Sequence, residues 1–157
     1  MRIAEYLSER RVAFEYLPHP LAFTAQKRAK WLRVSGHLVA KAVLLHGPDG
    51  PLLAVLPATH HVDTYELARH LGGSVRLATE GEVAHHFRDC EWGVVPPFGN
   101  LYGLPTLLDE SVPPDASLVL EAHTHVDAVR LSCRDFERLA RPRRLRFARA
   151  HRPPDEA

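Results

Sequence analysis

The chain has 157 residues, of which 45% are hydrophobic and 25% are charged, as is usual for a globular domain. A core of this size needs no disulfide framework, so the two cysteines, Cys90 and Cys133, need no bridge. The longest uncharged run, residues 92–108, contains six glycine and proline residues, which excludes a membrane-spanning helix. Charges at Glu5 and Glu9 interrupt the N-terminal region, which excludes a secretory signal peptide, and we expect a cytoplasmic protein.

The charges are unevenly distributed along the chain. The net charge is +1, and residues 141–157 carry six arginines against Asp155 and Glu156, a sum of +4 that leaves −3 for residues 1–140. A polyanion would therefore meet local basic patches, either this segment or the basic residues around Trp31. Because residues 141–157 are rich in Arg and Pro and poor in apolar residues, we predict a single domain at 1–140 and a basic, partly disordered tail.

The first half of the chain predicts two helices, a short strand and a hairpin. Residues 2–11 have helical spacing of apolar residues, and residues 14–17 form an aromatic run typical of a strand. Thr24 can cap a second helix, which carries Lys27, Arg28 and Lys30 on its charged side. Two apolar runs, 38–45 and 52–56, flank a Gly-Pro-Asp-Gly turn and predict a hairpin.

The second half predicts short strands and helices without regular alternation. Capping boxes at Asp63 with Glu66 and at Thr79 with Glu82 predict helices over 64–71 and 80–87, with a strand at 75–77 between them. Strands are predicted at 106–109, 118–122 and 128–131, and Ser132 caps a last helix that runs to residue 139. This order favours an α+β fold whose mixed sheet curls upon itself.

Lys41 is the most informative residue of the first apolar run. A period of two places it on the same face as Val39, Val43 and Leu45, where a charge is unusual. One interpretation is a gatekeeper that prevents edge-to-edge pairing of strands. The other is a site lysine at the mouth of a cavity, where the ammonium would grip a phosphate or orient a carbonyl oxygen.

The segment Gly93-Val94-Val95-Pro96-Pro97-Phe98-Gly99 is a second candidate feature. Its two glycines permit a close backbone approach, and its two prolines make the loop stiff. Backbone N–H groups of such a loop can hold an oxyanion without help from a side chain. A purely structural turn between strands is the alternative interpretation.

Histidines and cysteines give weaker signals. His123 and His125 would point to the same side of a strand, but no recognised metal-binding spacing accompanies them, and we expect no bound metal. Cys90 would be a candidate nucleophile only if a histidine lay beside it, and a buried structural thiol is the other interpretation.

Several segments occur together in a characteristic order. These are Thr24 before a basic helix, Lys41 in its apolar strand, and the segments 75–83, 93–99, 106–109 and 128–132. In this combination residues 1–140 resemble the YbaK and prolyl-tRNA synthetase associated domain family. The resemblance implies an α+β fold with a mixed, barrel-like curved sheet surrounded by helices. Lys41 matches the lysine of the family, and Gly93 with Pro97 matches its GxxxP loop, which Phe98 and Gly99 continue.

The resemblance also implies an activity, namely trans-editing by an aminoacyl-tRNA deacylase. Such an enzyme hydrolyses the ester of a small mischarged amino acid, of the alanine, cysteine or serine type, on a tRNA, usually tRNA-Pro. Lys41 would position the substrate and the loop backbone would hold the aminoacyl carbonyl, while a ribose hydroxyl or a substrate thiol supplies the chemistry without a cofactor. The residues expected to contact the substrate are Thr24, Lys27, Lys30 and His123.

His123 departs from the family pattern, because many relatives have glycine after the alanine that precedes it here. This exchange puts the amino-acid specificity in question. The alternative function is a non-catalytic module of the same fold that binds tRNA or docks on an aminoacyl-tRNA synthetase. Strongly salt-dependent tRNA binding without deacylation would distinguish that module from the enzyme.

Overall fold

The computed structural model describes residues 2–20 and 39–150. Helices in these residues are α1 (Ile3–Glu9), α2 (Thr64–Leu71), α3 (Glu80–His86) and α4 (Cys133–Ala140). Strands are β1 (Glu15–Pro18), β2 (Ala40–Gly47), β3 (Gly50–Pro57), β4 (His60–Val62), β5 (Arg76–Leu77), β6 (Thr106–Asp109), β7 (Ser117–Glu121), β8 (Asp127–Ser132), β9 (Arg143–Leu145) and β10 (Ala148–Ala150). None of the helices described here has the length and apolar character needed to cross a membrane.

The predicted hairpin is confirmed as β2 and β3. The two strands are antiparallel from Ala40 opposite Pro57 to Gly47 opposite Gly50. Gly50 has φ of +119°, a conformation that favours glycine, and it closes the turn after Pro48 and Asp49. The tight turn fixes the register of the hairpin, and with it the face on which each β2 side chain lies.

Helix starts are also where the sequence predicts them. Thr79 and Glu82 form a complete capping box at α3, and the Ser132 hydroxyl accepts a backbone N–H of α4. The Asp63 carboxylate accepts two backbone N–H groups of α2, and Gly72 ends that helix with φ of +75°. These caps satisfy N–H groups that have no partner inside their helices.

The strands form one mixed sheet and two antiparallel ones. The five-stranded sheet has the order β5-β2-β3-β6-β9, with β6 parallel to both of its neighbours. The order β1-β8-β7 gives a three-stranded sheet, and β10 pairs with β4. A parallel bridge from Val39 to Val119 joins the first two sheets, so the strands curl without closing into a barrel over the described residues. The predicted α+β fold is confirmed.

Both faces of the five-stranded sheet are covered. Ala40 and Val55 belong to the main core cluster, which also holds α1, α4 and the three-stranded sheet. On the other face, Leu45 and Leu56 pack against Leu67 of α2 and against the C-terminal strands. Strand β2 therefore has apolar contacts on both faces, with Ala40, Leu44 and Leu45 buried and its other residues partly buried.

The C-terminal segment differs from the prediction. The sequence predicts a tail from residue 141, but β9 pairs with β6, β10 pairs with β4, and Leu145 of β9 and Phe147 are buried. The two side chains bury apolar surface on the α2 side of the five-stranded sheet, which favours packing of the segment there. Residues 151–157 of the predicted tail lie outside the described residues.

The same segment alters the capping box predicted for α2. The Asp63 N–H donates to Phe147 O at 2.7 Å, so it does not take part in a reciprocal bond with Glu66. The Glu66 carboxylate instead forms an ion pair with Arg69 at 3.3 Å. The contact with Phe147 therefore replaces the bond from the Asp63 N–H to Glu66, while the Asp63 carboxylate still caps the helix.

Asp109 attaches the C-terminal segment to the sheet. It is buried, and its carboxylate accepts the N–H groups of Phe147 and Ala148, each at 2.8 Å, and that of Ser111 at 2.9 Å. These bonds to the ionised form outweigh its burial and lower the pKa of Asp109 below its usual value. One charged side chain thus satisfies three backbone donors at the end of β6.

We expect Asp109→Asn to lower the free energy of unfolding by about 3 kcal/mol at pH 7, because the weaker acceptor leaves buried N–H groups poorly paired. The folded-state pKa of Asp109 is lowered, so its stabilising contribution is present above the unfolded pKa of about 4 and is lost as the pH falls towards the folded value. Urea unfolding at pH 7 and pH 3 measures both effects. The exposed Asp115→Asn is the control, and equal stabilities of the two variants would contradict the role of Asp109.

Candidate functional site

Lys41 lies in β2 opposite Leu56 of β3. β3 pairs with β2 at Lys41, whereas β5 pairs with β2 only at Leu45 and His46, so the gatekeeper and the site-lysine interpretations both stay open. Strand alternation places the Lys41 side chain on the face opposite Ala40 and Ala42. The fold thus presents a cation on an otherwise apolar strand.

The Lys41 ammonium is only partly accessible to water. Its side chain is half-buried, and this desolvation lowers the pKa of Lys41 below its ordinary value. No carboxylate or other acceptor within residues 2–20 and 39–150 pairs with the ammonium. A half-buried cation without a protein partner can bind an anionic or strongly polarised group of a ligand.

The loop 93–99 is held by its own side chains. Phe98 is fully buried and packs against the rings of Tyr6, at 5.6 Å, and Phe136, at 5.2 Å. At the exposed end of the loop, Gly93 has φ of +85°. A Cβ on Gly99 would lie 2.6 Å from the carbonyl oxygen of Leu104, so only glycine fits at that position. The predicted stiff loop is therefore anchored at one end and open at the other.

The loop offers backbone donors. Val94 N–H donates to Glu91 O at 3.0 Å, which turns the chain into the loop. Within the part of the chain that the structure describes, no acceptor is bonded to the N–H groups of Val95, Phe98 and Gly99. Unpaired N–H groups in a stiff loop are suited to bind a carbonyl oxygen or an oxyanion.

Lys41 and the loop are connected through the core and not by a hydrogen bond. Ala40 and Ala42, which flank Lys41, pack in the main core cluster together with Phe98. Lys41 itself points away from that cluster, so the side chain of Phe98 serves packing and does not face the amine. Of the predicted catalytic residues, Gly93 alone is exposed, while Pro97, Phe98 and Gly99 are buried.

His123 is engaged within the protein. Its Nε2 accepts the Ile3 N–H of α1 at 3.0 Å, and its Nδ1 lies 3.3 Å from the Cys90 Sγ. The ring is buried, and this burial lowers the pKa of His123. Since both ring nitrogens have protein partners, this arrangement leaves His123 no free nitrogen for the predicted contact with the substrate.

Cys90 has the histidine neighbour that the nucleophile interpretation requires, but the proton arrangement opposes that role. Because Nε2 of His123 accepts a backbone N–H, the neutral ring carries its proton on Nδ1, the atom that faces the sulfur. A nitrogen that already carries a proton cannot remove one from the thiol. Burial also raises the pKa of the Cys90 thiol to about 12. The geometry thus favours the structural interpretation.

Asp89 and Tyr102, which sequence analysis did not single out, complete this cluster. The Tyr102 hydroxyl lies 2.9 Å from each Asp89 oxygen and 3.7 Å from the Cys90 Sγ. No local motif could have identified them, because Tyr102 is 13 residues and His123 is 34 residues from Asp89 in the sequence.

The predicted histidine pair does not converge on one point. The Nε2 of His125 lies 2.8 Å from Trp92 O, and its Nδ1 lies 3.3 Å from a Glu121 oxygen. His123 faces Cys90 instead. The two residues leave β7 in a turn between strands, where the alternation expected of a strand does not apply.

The remaining predicted substrate contacts, Thr24, Lys27 and Lys30, lie outside the described residues. Their proposed contact with tRNA therefore stays a prediction.

Comparisons with known proteins agree with this fold. The family model described as "Aminoacyl-tRNA editing domain" matches residues 19–139. None of the curated proteins compared with the chain is a significant match. Among solved structures, the hypothetical protein APE2540 has a TM-score of 0.85 at 17% identity, over 95% of this chain and 100% of that one. A proposed trans-editing enzyme for prolyl-tRNA synthetase has a TM-score of 0.77 at 23% identity, over 95% and 96% of the two chains. At these identities the structures show a shared fold.

We expect Lys41→Met to raise the free energy of unfolding at pH 7, because methionine fills the apolar face without a desolvated charge. The pKa of Lys41 is lowered in the folded state. The free energy of unfolding of the wild-type protein therefore increases as the pH rises from the folded-state pKa to the unfolded pKa of about 10.4. The difference in stability between the wild type and the variant should become smaller over that range. Urea unfolding at pH 7 and pH 10 measures the change.

The control for this substitution is Arg143→Met, which removes an exposed cation from a strand and should change the free energy of unfolding by less than about 0.5 kcal/mol. A Lys41→Met protein that unfolds more easily than the wild type would show that the ammonium stabilises the fold.

Proposed function

Because the chain belongs to the aminoacyl-tRNA editing domain family, we propose that it is a trans-editing deacylase. It carries an aminoacyl-tRNA editing domain over residues 19–139. The proposed reaction is hydrolysis of the ester between a small amino acid, of the alanine, cysteine or serine type, and the terminal ribose of a tRNA. The proposed tRNA is tRNA-Pro, and the solved structure of the proposed trans-editing enzyme for prolyl-tRNA synthetase, which shares the fold, supports this choice.

The observation that carries the proposal is the half-buried Lys41 ammonium, which no described residue pairs with. A partly buried cation without a partner lowers the stability of the fold. Binding of an anionic substrate would explain why the protein keeps such a residue. In an aminoacyl-tRNA, a phosphate and an ester carbonyl lie on either side of the terminal ribose. The ammonium would bind one of these groups and so position the ester for hydrolysis.

Stabilisation of charge in the transition state is assigned to the backbone of the loop. Attack on the ester carbonyl produces an oxyanion, and the N–H groups of Val95, Phe98 and Gly99 are the candidate donors to it. Phe98 contributes through its backbone, while its buried ring keeps the loop in place. Preorganised donors of this kind cost no rearrangement during the reaction.

The attacking group comes from outside the protein in this proposal. An aminoacyl ester is activated, and water, the neighbouring ribose hydroxyl or a thiol of the substrate can attack it once it is oriented. Cys90 is excluded from this role by its raised pKa and by the proton on the facing histidine nitrogen. This assignment requires a lysine and a donor loop from the protein, and no protein nucleophile.

We expect Lys41→Ala to lower kcat/KM for deacylation of mischarged tRNA-Pro by about a hundredfold or more, the loss typical of removing one electrostatic contact to the transition state. The assay uses tRNA-Pro charged with alanine, cysteine or serine, and prolyl-tRNA-Pro as the correctly charged control. Normal turnover by the variant would refute the role of Lys41. Tight, salt-sensitive tRNA binding by a wild-type protein that deacylates none of the substrates would support the binding module instead.

We expect Gly93→Ala to lower kcat/KM by about tenfold, because a left-handed alanine costs about 1–2 kcal/mol and the loop can shift to relieve this strain. Gly72→Ala is the matched control, since Gly72 has a similar φ of +75° at the end of α2, where a Cβ meets no atom within 4 Å. Both variants should lose similar stability in urea unfolding. Equal kcat/KM values for the two would show that the loop has no special role in catalysis.

A further inference from the structure

Three side chains with metal-binding atoms converge near the start of the loop 93–99. The ligand atoms of Asp89, Cys90 and His123 all lie within 4.8 Å of one another. The Cys90 Sγ is 3.3 Å from Nδ1 of His123 and 3.5 Å from Oδ1 of Asp89, and Nδ1 is 3.9 Å from Oδ2 of Asp89. The deacylation proposed above uses none of these side chains.

These separations match the edges of a tetrahedral zinc site. Zinc binds sulfur at about 2.3 Å, imidazole nitrogen at about 2.0–2.1 Å and carboxylate oxygen at about 2.0–2.2 Å, so neighbouring ligand atoms in a tetrahedron lie about 3.3–3.6 Å apart. The Sγ–Nδ1 separation of 3.3 Å and the Sγ–Oδ1 separation of 3.5 Å both lie in that range. The third separation, 3.9 Å, joins Nδ1 to the other carboxylate oxygen, Oδ2, so binding through a single oxygen requires the Asp89 carboxylate to turn about its hydrogen bonds to Tyr102.

We propose that Asp89, Cys90 and His123 bind a zinc ion through a carboxylate oxygen, Sγ and Nδ1. A mixed set of thiolate, imidazole and carboxylate suits zinc, whereas magnesium and calcium prefer oxygen ligands alone. Three protein ligands leave one position of the tetrahedron for water. The site is independent of the proposed deacylation, and no step of that reaction passes through the ion.

The surroundings of the cluster favour such a site. Tyr102 holds the Asp89 carboxylate through its hydroxyl, as residues behind metal ligands commonly do. The His123 ring is buried and fixed in orientation, while the side chain of Asp89 is 44% exposed. An ion can therefore enter from the solvent side and meet a ligand that is already oriented.

Binding has a defined structural consequence at α1. Without an ion, Nε2 of His123 accepts the Ile3 N–H and the ring proton lies on Nδ1. When zinc occupies Nδ1, that proton moves to Nε2 and the Cys90 thiol releases its proton to solvent, so the Ile3 N–H loses its acceptor. The ion thus couples the segment before the loop 93–99 to the first turn of α1.

The test is binding of zinc alone and of cobalt alone to the full chain. We expect one ion per chain and, with cobalt, the absorption of a tetrahedral site that includes a thiolate. Cys90→Ser should remove the thiolate band, and both Cys90→Ser and Asp89→Asn should weaken zinc binding by about tenfold or more. The controls are Cys133→Ala, which removes the other cysteine of the sequence, and the exposed Asp115→Asn, both with unchanged binding.

Amide hydrogen exchange gives a second measurement. Zinc should accelerate exchange at Ile3 in the wild-type protein and leave it unchanged in Cys90→Ser, because only the occupied site withdraws the acceptor. Zinc binding that is equally strong in Cys90→Ser and Asp89→Asn would overturn the proposal, as would a cobalt spectrum without a thiolate band. The two proposals can fail separately. Deacylation by the zinc-free protein would not contradict the zinc site, and a protein that does not bind zinc could still be a deacylase.

Discussion

The apolar packing on both faces of β2 is the constraint on which the rest of this structure depends. The strand pairs with β3 along its whole length, with the main core cluster on one side and the α2 cluster on the other, so most of its side chains are apolar. Lys41 breaks that pattern in the middle of the run and loses part of its hydration. A partly desolvated ammonium either binds a ligand or lowers the stability of the fold, and for this reason Lys41 identifies the candidate site.

The donor loop depends on the same core from the other side. Phe98 fills the space between α1 and α4, so the loop cannot move without opening the main cluster. This anchoring holds in place the N–H groups of Val95, Phe98 and Gly99, to which no acceptor in residues 2–20 and 39–150 is bonded. The division of labour agrees with the chemistry of an ester, for which orientation and oxyanion stabilisation matter more than a protein nucleophile.

His123 shows how one buried side chain can connect two segments that are far apart in the chain. A glycine at this position could neither accept the first N–H of α1 nor approach Cys90. The histidine does both, and it thereby connects the N-terminal helix with the segment that leads into the loop. Its direct partners are protein groups, so its influence on a substrate would act through that segment.

The hairpin, the helix starts and the α+β class could be predicted from the sequence alone, because turn residues, caps and apolar periodicity act over a few residues. The sequence alone also shows that Lys41 is the unusual residue of β2, since alternation needs no tertiary information. The tertiary structure was needed to see that residues 143–150 add strands to the sheets, that the Asp63 N–H donates to Phe147 O, and that Asp89, Cys90 and His123 meet. These outcomes depend on contacts between residues far apart in the chain, which no local pattern records.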